Sequence, residues 1–448
     1  MKKILALALA ALMVLTLAAC VGDNGDGNEG VKEIYFLNFK PENGDKYKAI
    51  AEEYEAQTGV KVKVETAAEG GYETTLTAEI TKTDPPTIFQ INGPVGYSNW
   101  SDYCADLKDT ELYDLLSDKS LAVTSGGGVF GIPYTVEGYG IIVNTAIFDA
   151  YFASENKTSD VASLDEMNNF AKMEEVVKDM TAMKDELGLD GVFASTSLSP
   201  GDDWRWQTHL ANMPLYYEFK AQGDTITAAL NAADISFSNN ENFKNIFDLY
   251  TEYSTTPKNL LGSKKVDDSM AEFALGKAAM VQNGFWATGQ ILDVDGAVVT
   301  ANDLQFIPIY TGVAGEESQG LCVGTENYFC VNSQVDEDIQ QASIDFLVWL
   351  FSSDYGVEAA VADLNLMPPF TSFADAKYDN PLVKSMTGWV AKDGITSVPW
   401  TFVGMPSQTW KDNLGANLLL YVQDQTTWDE LVAETIADWA TERAKAAE

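Results

Sequence analysis

Histidine occurs once in this chain, at position 209, and cysteine only four times. A single imidazole excludes His-rich metal sites and restricts any Ser–His–Asp arrangement to that one position. Basic residues are scarce as well: 28 Lys and Arg stand against 67 Asp and Glu, a formal charge of −39 over 448 residues. Nucleic acid and polybasic membrane contact both need clustered cations, so both are excluded as partners. After residue 20 no apolar run is long enough to span a membrane. There is no nucleophile elbow and no metal-ligand pair, and Ser125-Gly126-Gly127-Gly128 lacks the Lys and Ser/Thr of a phosphate loop. No cofactor, metal or catalytic residue is assigned on these grounds. Catalysis by paired carboxylates is left open by the composition.

What the sequence does have begins at its N-terminus. Lys2 and Lys3 precede an apolar run, Ile4 to Ala19, that ends in Leu17-Ala18-Ala19-Cys20. A run this short, closed by small residues, reads as a signal peptide and not as a membrane span. The ending resembles a bacterial lipobox, which implies removal of residues 1–19 and acylation of Cys20 as the new N-terminus. Residues 20–30 are Gly-rich, polar and acidic, and read as a flexible tether that cannot bury a core. The expected location is the outer face of a cell membrane, held only by that lipid, on the surface of a monoderm bacterium in preference to a periplasm. The remaining cysteines, Cys104, Cys322 and Cys330, are odd in number and read as buried thiols, with a Cys322–Cys330 bridge as the alternative.

From Glu33 onward the patterns alternate. Glu33 to Phe39 is strand-like, Asp45 opens a helical stretch closed by Gly59, and Val60, Val62 and Val64 form a second alternating strand. Tyr72 to Thr81 is helix-compatible and leads through Pro85-Pro86 into a third strand, Thr87 to Ile91. This order predicts an α/β fold with parallel pairing and right-handed crossovers. Ser163/Glu166, Ser238/Glu241 and Thr427/Glu430 have capping-box spacing, each expected to open a helix. The length alone points to two or more lobes.

Gly131-Ile132-Pro133-Tyr134-Thr135-Val136-Glu137-Gly138-Tyr139-Gly140, followed by Ile141-Ile142-Val143-Asn144, resembles the hinge-crossing segment of bacterial extracellular solute-binding proteins of the maltose-binding-protein type. Phe273-Ala274-Leu275-Gly276-Lys277-Ala278-Ala279-Met280 with Asn283-Gly284-Phe285-Trp286 is similar to a second stretch of that family. Ser352 to Gly356 and Leu366-Met367-Pro368-Pro369 add a third echo. The resemblance implies two lobes, each a mainly parallel sheet flanked by helices, with a hinged cleft between them. Lobe one would be 31–135 with 315–365, and lobe two 139–308 with 370–448. Hinges are expected at Pro133 to Gly138 and Ile309 to Gly320. A monomeric receptor that captures a solute, closes, and presents it to the transmembrane subunits of an ABC permease is the implied function.

A sugar offers an apolar ring face and a rim of hydroxyls, so its site needs aromatic platforms beside carboxylates, amides and cations. The cluster Asp202 to Gln207 contains Trp204 and Trp206, Trp286 follows a Gly-containing turn, and Trp400 and Trp410 flank the loop Pro399 to Pro406. Through the resemblance, Trp286 and Trp410 fall near stacking positions and Trp204 near a lobe-two aromatic contact. Glu137 and Tyr139 at the crossover are candidate contacts, with a hinge salt bridge the other role open to Glu137. Lys40, Glu42 and Asn92 follow the first and third strands, whose carboxyl ends face the cleft in open α/β sheets. The Asp-Arg pair of the maltose-binding pattern is replaced here by Gly93-Pro94, which leaves the sugar's identity open. An oligosaccharide, with maltodextrin first, is the expected ligand. A secreted glycosidase and a polysaccharide-capturing surface protein without a transport role are the competing functions.

Overall fold

The computed structural model describes residues 31, 33–68, 70–325 and 327–445. The signal peptide, Cys20 and the tether lie outside the described residues. The first three strands form where alternating apolar residues meet turn residues: β1 (Glu33–Asn38), β2 (Lys61–Thr66) and β3 (Ile88–Asn92). β1 lies between β2 and β3 and is parallel to both. The helix Gly44–Thr58 that links β1 to β2 buries Tyr47, Ile50, Ala51 and Tyr54 along one stripe and stops at Gly59, whose φ is +78°.

The first sheet is completed by β4 (Val123–Ser125), β5 (Gly128–Pro133) and β10 (Asn327–Val331), in the order β2-β1-β3-β10-β5-β4. The second holds β6 (Glu137–Asn144), β7 (Met280–Gly284), β8 (Leu304–Ile307), β9 (Gln319–Gly324) and β11 (Thr396–Pro399). Its order is β11-β9-β6-β7, with β8 also on β6. β6 is its spine: all eight residues are buried, β7 pairs along one edge, and β9 then β8 share the other. A strand apolar on both faces must be covered on both, and helices do this on each sheet. Two apolar clusters pack lobe one, around Phe36 and Phe89, and two pack lobe two, around Ile141 and Ile142.

The two-lobed α/β architecture is the expected one, with corrections in detail. The sheets are mixed, not mainly parallel: β10 runs antiparallel to β3 and β5, and β6 antiparallel to β7, β8 and β9. Short connections enforce this at one place, because β4 and β5 are joined by the tight Ser125–Gly128 turn and a hairpin pairs only antiparallel. The return to lobe one does not fall at 309–320. β9 is hydrogen-bonded within the second sheet, so the crossing follows Gly324. Lobe one also runs past 365, since Phe370 and Phe373 pack in its core, and the helix Pro381–Val390 is the next to pack on lobe two.

Local signals met tertiary competition unevenly. Thr427 caps the helix Trp428–Lys445 reciprocally, with its N–H donating to Glu430 at 2.9 Å. Ser238 opens no helix, because its N–H donates to Glu218; the helix starts at Asn240. Ser163 and Glu166 close only a turn, and the following helix starts at Phe170 behind Asn169. Cys104, Cys322 and Cys330 are buried free thiols. A Cys322–Cys330 bridge is ruled out by placement, since one lies on β9 and the other on β10, in different sheets.

Candidate functional site: the cleft between the lobes

The two sheets face each other along one edge. β1 and β3 end there, β10 begins there, and across the gap lie the start of β6 and the ends of β7, β9 and β11. Residues just beyond these ends line a cavity of about 260 Å3, far above the roughly 10–15 Å3 that one water needs. From lobe one come Phe39, Lys40, Glu42, Glu73 and Asn92, and from lobe two Trp204, His209, Trp286, Trp400 and Lys411.

Lys40 sits on the loop that leaves β1, with its backbone N–H held by the Asn38 side chain at 3.0 Å. Its Nζ is 2.9 Å from Glu137 Oε1 and 3.7 Å from Glu42 Oε1, and lies over the Trp286 ring at 5.5 Å. Burial pushes the Glu137 carboxyl above the usual carboxylate range, and the attraction and hydrogen bond of Lys40 pull against it. Glu137 is thus both a cleft residue and an ion pair across the lobes. Asn92 ends β3, opposite Asn327.

On the lobe-two side, Trp286 lies over Gly284 and Trp400 over Gly324. A Cβ on either glycine would sit 2.1 Å or 2.6 Å from the indole, so only glycine lets the rings lie flat against the strand ends. Trp204 is followed by a π-helical turn, Arg205–Leu210, a geometry that recurs at functional sites. That turn brings His209 back beneath Trp204, edge to face at 4.8 Å, and stacks it on Tyr139 at 4.1 Å with planes 5° apart. Burial, then Arg205, Lys411 and Lys40, hold the His209 imidazole well below its ordinary pKa, so it is neutral. Its Nδ1 and the indole Nε1 of Trp400 are buried without a protein partner.

Seven of the ten expected contacts therefore meet around one cleft: Lys40, Glu42, Asn92, Glu137, Trp204, Trp286 and Trp400. Three do not line it. Tyr139 is fully buried on β6, and its hydroxyl donates to the His209 carbonyl at 3.0 Å, so it supports the imidazole from behind. Trp206 packs against Phe247 and Tyr250, and its indole N–H donates to the Thr196 and Ser197 carbonyls. Trp410 belongs to the buried stripe Trp410, Leu414, Leu418 of the helix Gln408–Val422, edge-on to Trp439, with its N–H on the Thr435 carbonyl. Lys411, one residue on, faces the cleft instead, a 100° step around the same helix.

Sequence reasoning missed His209, Glu73 and Lys411. His209 had a signal, as the only histidine and two residues from the Trp-rich cluster. Glu73 had none: its carboxyl is raised by burial, accepts from Trp100 Nε1 at 3.1 Å, and is drawn down by Lys411 across the cleft. Asp203, beneath the same wall, is pushed up to about 6 by burial first and by Asp412 as well. Among the described residues no group of three His, Cys, Asp or Glu is placed to hold a metal, and no helix is long and apolar enough to cross a membrane.

Residues 49–385 match the bacterial extracellular solute-binding protein family, and the chain belongs to it. No curated protein sequence matches the chain. Solved structures share its fold over nearly the whole length. A chitin oligosaccharide binding protein is similar at 18% identity and a TM-score of 0.72, covering 93% of this chain and 100% of its own. The GacH receptor of Streptomyces glaucescens, solved unliganded and with acarbose, is 17% identical, with a TM-score of 0.65 and coverage of 93% and 99%. An ABC substrate-binding protein from Listeria monocytogenes in complex with cycloalternan is 16% identical, with a TM-score of 0.65 and coverage of 92% and 98%.

Proposed function

We propose that this chain is a lipid-anchored extracellular receptor of an ABC importer. It captures a neutral oligosaccharide in the interlobe cleft, closes, and delivers it to the permease without chemistry. The observation that supports this reading is the wall formed by Trp204, Trp286 and Trp400 around the neutral His209. Flat apolar faces beside unpartnered donors and acceptors match a sugar ring with its hydroxyls. Each cleft lysine faces a carboxylate, Lys40 with Glu137 and Lys411 with Glu73, and Glu42 and Asp412 leave the lining acidic, which disfavours an anionic ligand. The ligands of the three similar structures, a chitin oligosaccharide, acarbose and cycloalternan, support the class while differing among themselves. Maltodextrin, an α-glucan fragment, is the first candidate.

Calorimetric titration of the chain from residue 31 onward against malto-, chito-, xylo-, fructo- and galacto-oligosaccharides tests the proposal. Saturable binding of one class with no product formed is the expected result. Turnover would transfer the reading to a glycosidase, and silence across the panel would end it.

A further inference from the structure

A second cavity, of about 300 Å3, adjoins the first, and the two share Lys40, Glu42, Glu137, Trp286 and Gln290 as lining. Those side chains therefore stand between them. Lys40 comes from lobe one and Glu137 opens the first strand of the second sheet, so their 2.9 Å contact closes the cleft from side to side. Both are more than nine-tenths buried, and Trp286 backs them. The second cavity has no aromatic lining apart from Trp286 and is faced instead by Asn43, Lys46, Asp293 and Asn365.

Resting on the receptor reading, we propose that the Lys40–Glu137 pair is an end wall that sets the length of sugar chain the cleft accepts. Separating one buried charge from its partner leaves the other uncompensated, so a neutral chain does not push through it. Trp204, His209 and Trp400 line only the first cavity, and Trp286 alone reaches both. A chain end therefore abuts the pair, and affinity stops rising with chain length once the aromatic cavity is filled.

The test is titration of a length series of whichever oligosaccharide class binds. The Lys40→Met, Glu137→Gln double variant removes both buried charges together, and only the partly exposed Glu42 loses a cation. In it the plateau should move to longer chains, which gain about tenfold for each further ring that finds contact. Gly289 lines only the second cavity, and a Cβ there meets nothing closer than Asp293 Oδ2 at 3.5 Å. Gly289→Leu alone should leave wild-type affinities unchanged, and added to the double variant it should cancel the gain.

An unmoved plateau in the double variant overturns the wall. So does weaker binding of long chains by Gly289→Leu in the wild type, a result that stands even if the double variant does not fold. A wild type that binds no oligosaccharide overturns the receptor reading and the wall together, whereas binding with an unmoved plateau overturns the wall alone.

Discussion

The two walls of the cleft are built from different chemistry. Lobe one contributes mainly charge and amide groups, Lys40, Glu42, Glu73 and Asn92, just beyond β1, on the helix Tyr72–Glu79 and at the end of β3. Lobe two contributes ring faces, Trp204, His209, Trp286 and Trp400, seated on a π turn and on strand ends where glycine lets an indole lie flat. Stacking is short-ranged and tolerant of where hydroxyls sit, while hydrogen bonds to charged groups are directional and demand registry. Under the proposed function, this division would have lobe two hold a ligand in an open receptor and lobe one inspect it on closure.

The largest effect expected from testing this division is one of stability. Trp410 is lobe-two aromatic but core, so Trp410→Ala should destabilise the fold by about 3–5 kcal/mol and leave affinity in the folded protein unchanged. Chemical denaturation with parallel titration measures both, and a large affinity loss would put Trp410 back in the site.

Trp286→Ala is the converse, with a modest stability change and affinity lower by about 10–100-fold, or about 1.4–2.8 kcal/mol. An equal loss from Glu73→Gln would erase the distinction between the walls.

Closure is the next test. Gly70 of lobe one approaches Gly201 of lobe two so closely that an added Cβ would lie 2.6 Å from the Gly201 carbonyl oxygen. The φ of +68° adds backbone strain to that clash for an alanine there. Gly70→Ala should weaken binding by about three- to tenfold and reduce the compaction that small-angle scattering detects on adding ligand. Full compaction in the variant would show that this contact is not made on closure.

The smallest effect is a pH slope. The folded-state pKa of His209 is depressed, so between that value and its ordinary ~6.5 the unfolded chain binds the extra proton. The neutral imidazole is favoured at pH 7, and stability falls as pH drops below about 6.5. Relative to His209→Gln, the unliganded wild type should lose up to about 1.4 kcal/mol per pH unit over that window. Parallel slopes for the two proteins would mean that His209 titrates as if exposed.

Legibility followed the range of the interactions. The helix Gly44–Thr58 and its stop at Gly59 were readable because periodicity and a left-handed glycine are properties of neighbouring residues. Trp286 and Glu137 were readable through stretches whose order resembled a family. Trp410 was misassigned although its stripe with Leu414 and Leu418 was there to be counted. Trp206 and Tyr139 sit beside true cleft residues in sequence, and a turn of backbone points them inward. Glu73 sits on an undistinguished amphipathic stretch, and only the approach of Lys411 from the other lobe gives it a role.

By itself, then, the sequence determined the α/β class, the acidic surface, the first three strands of the first sheet and the stock of aromatic side chains, all set by composition and short-range pattern. Only the tertiary structure decided the mixed strand directions, the place where the chain returns to lobe one, and which tryptophans meet at the cleft. The reason is physical. A ligand site between lobes is made of residues far apart along the chain, Lys40 against Glu137 and Glu73 against Lys411, and their distances exist only once both sheets have formed and met.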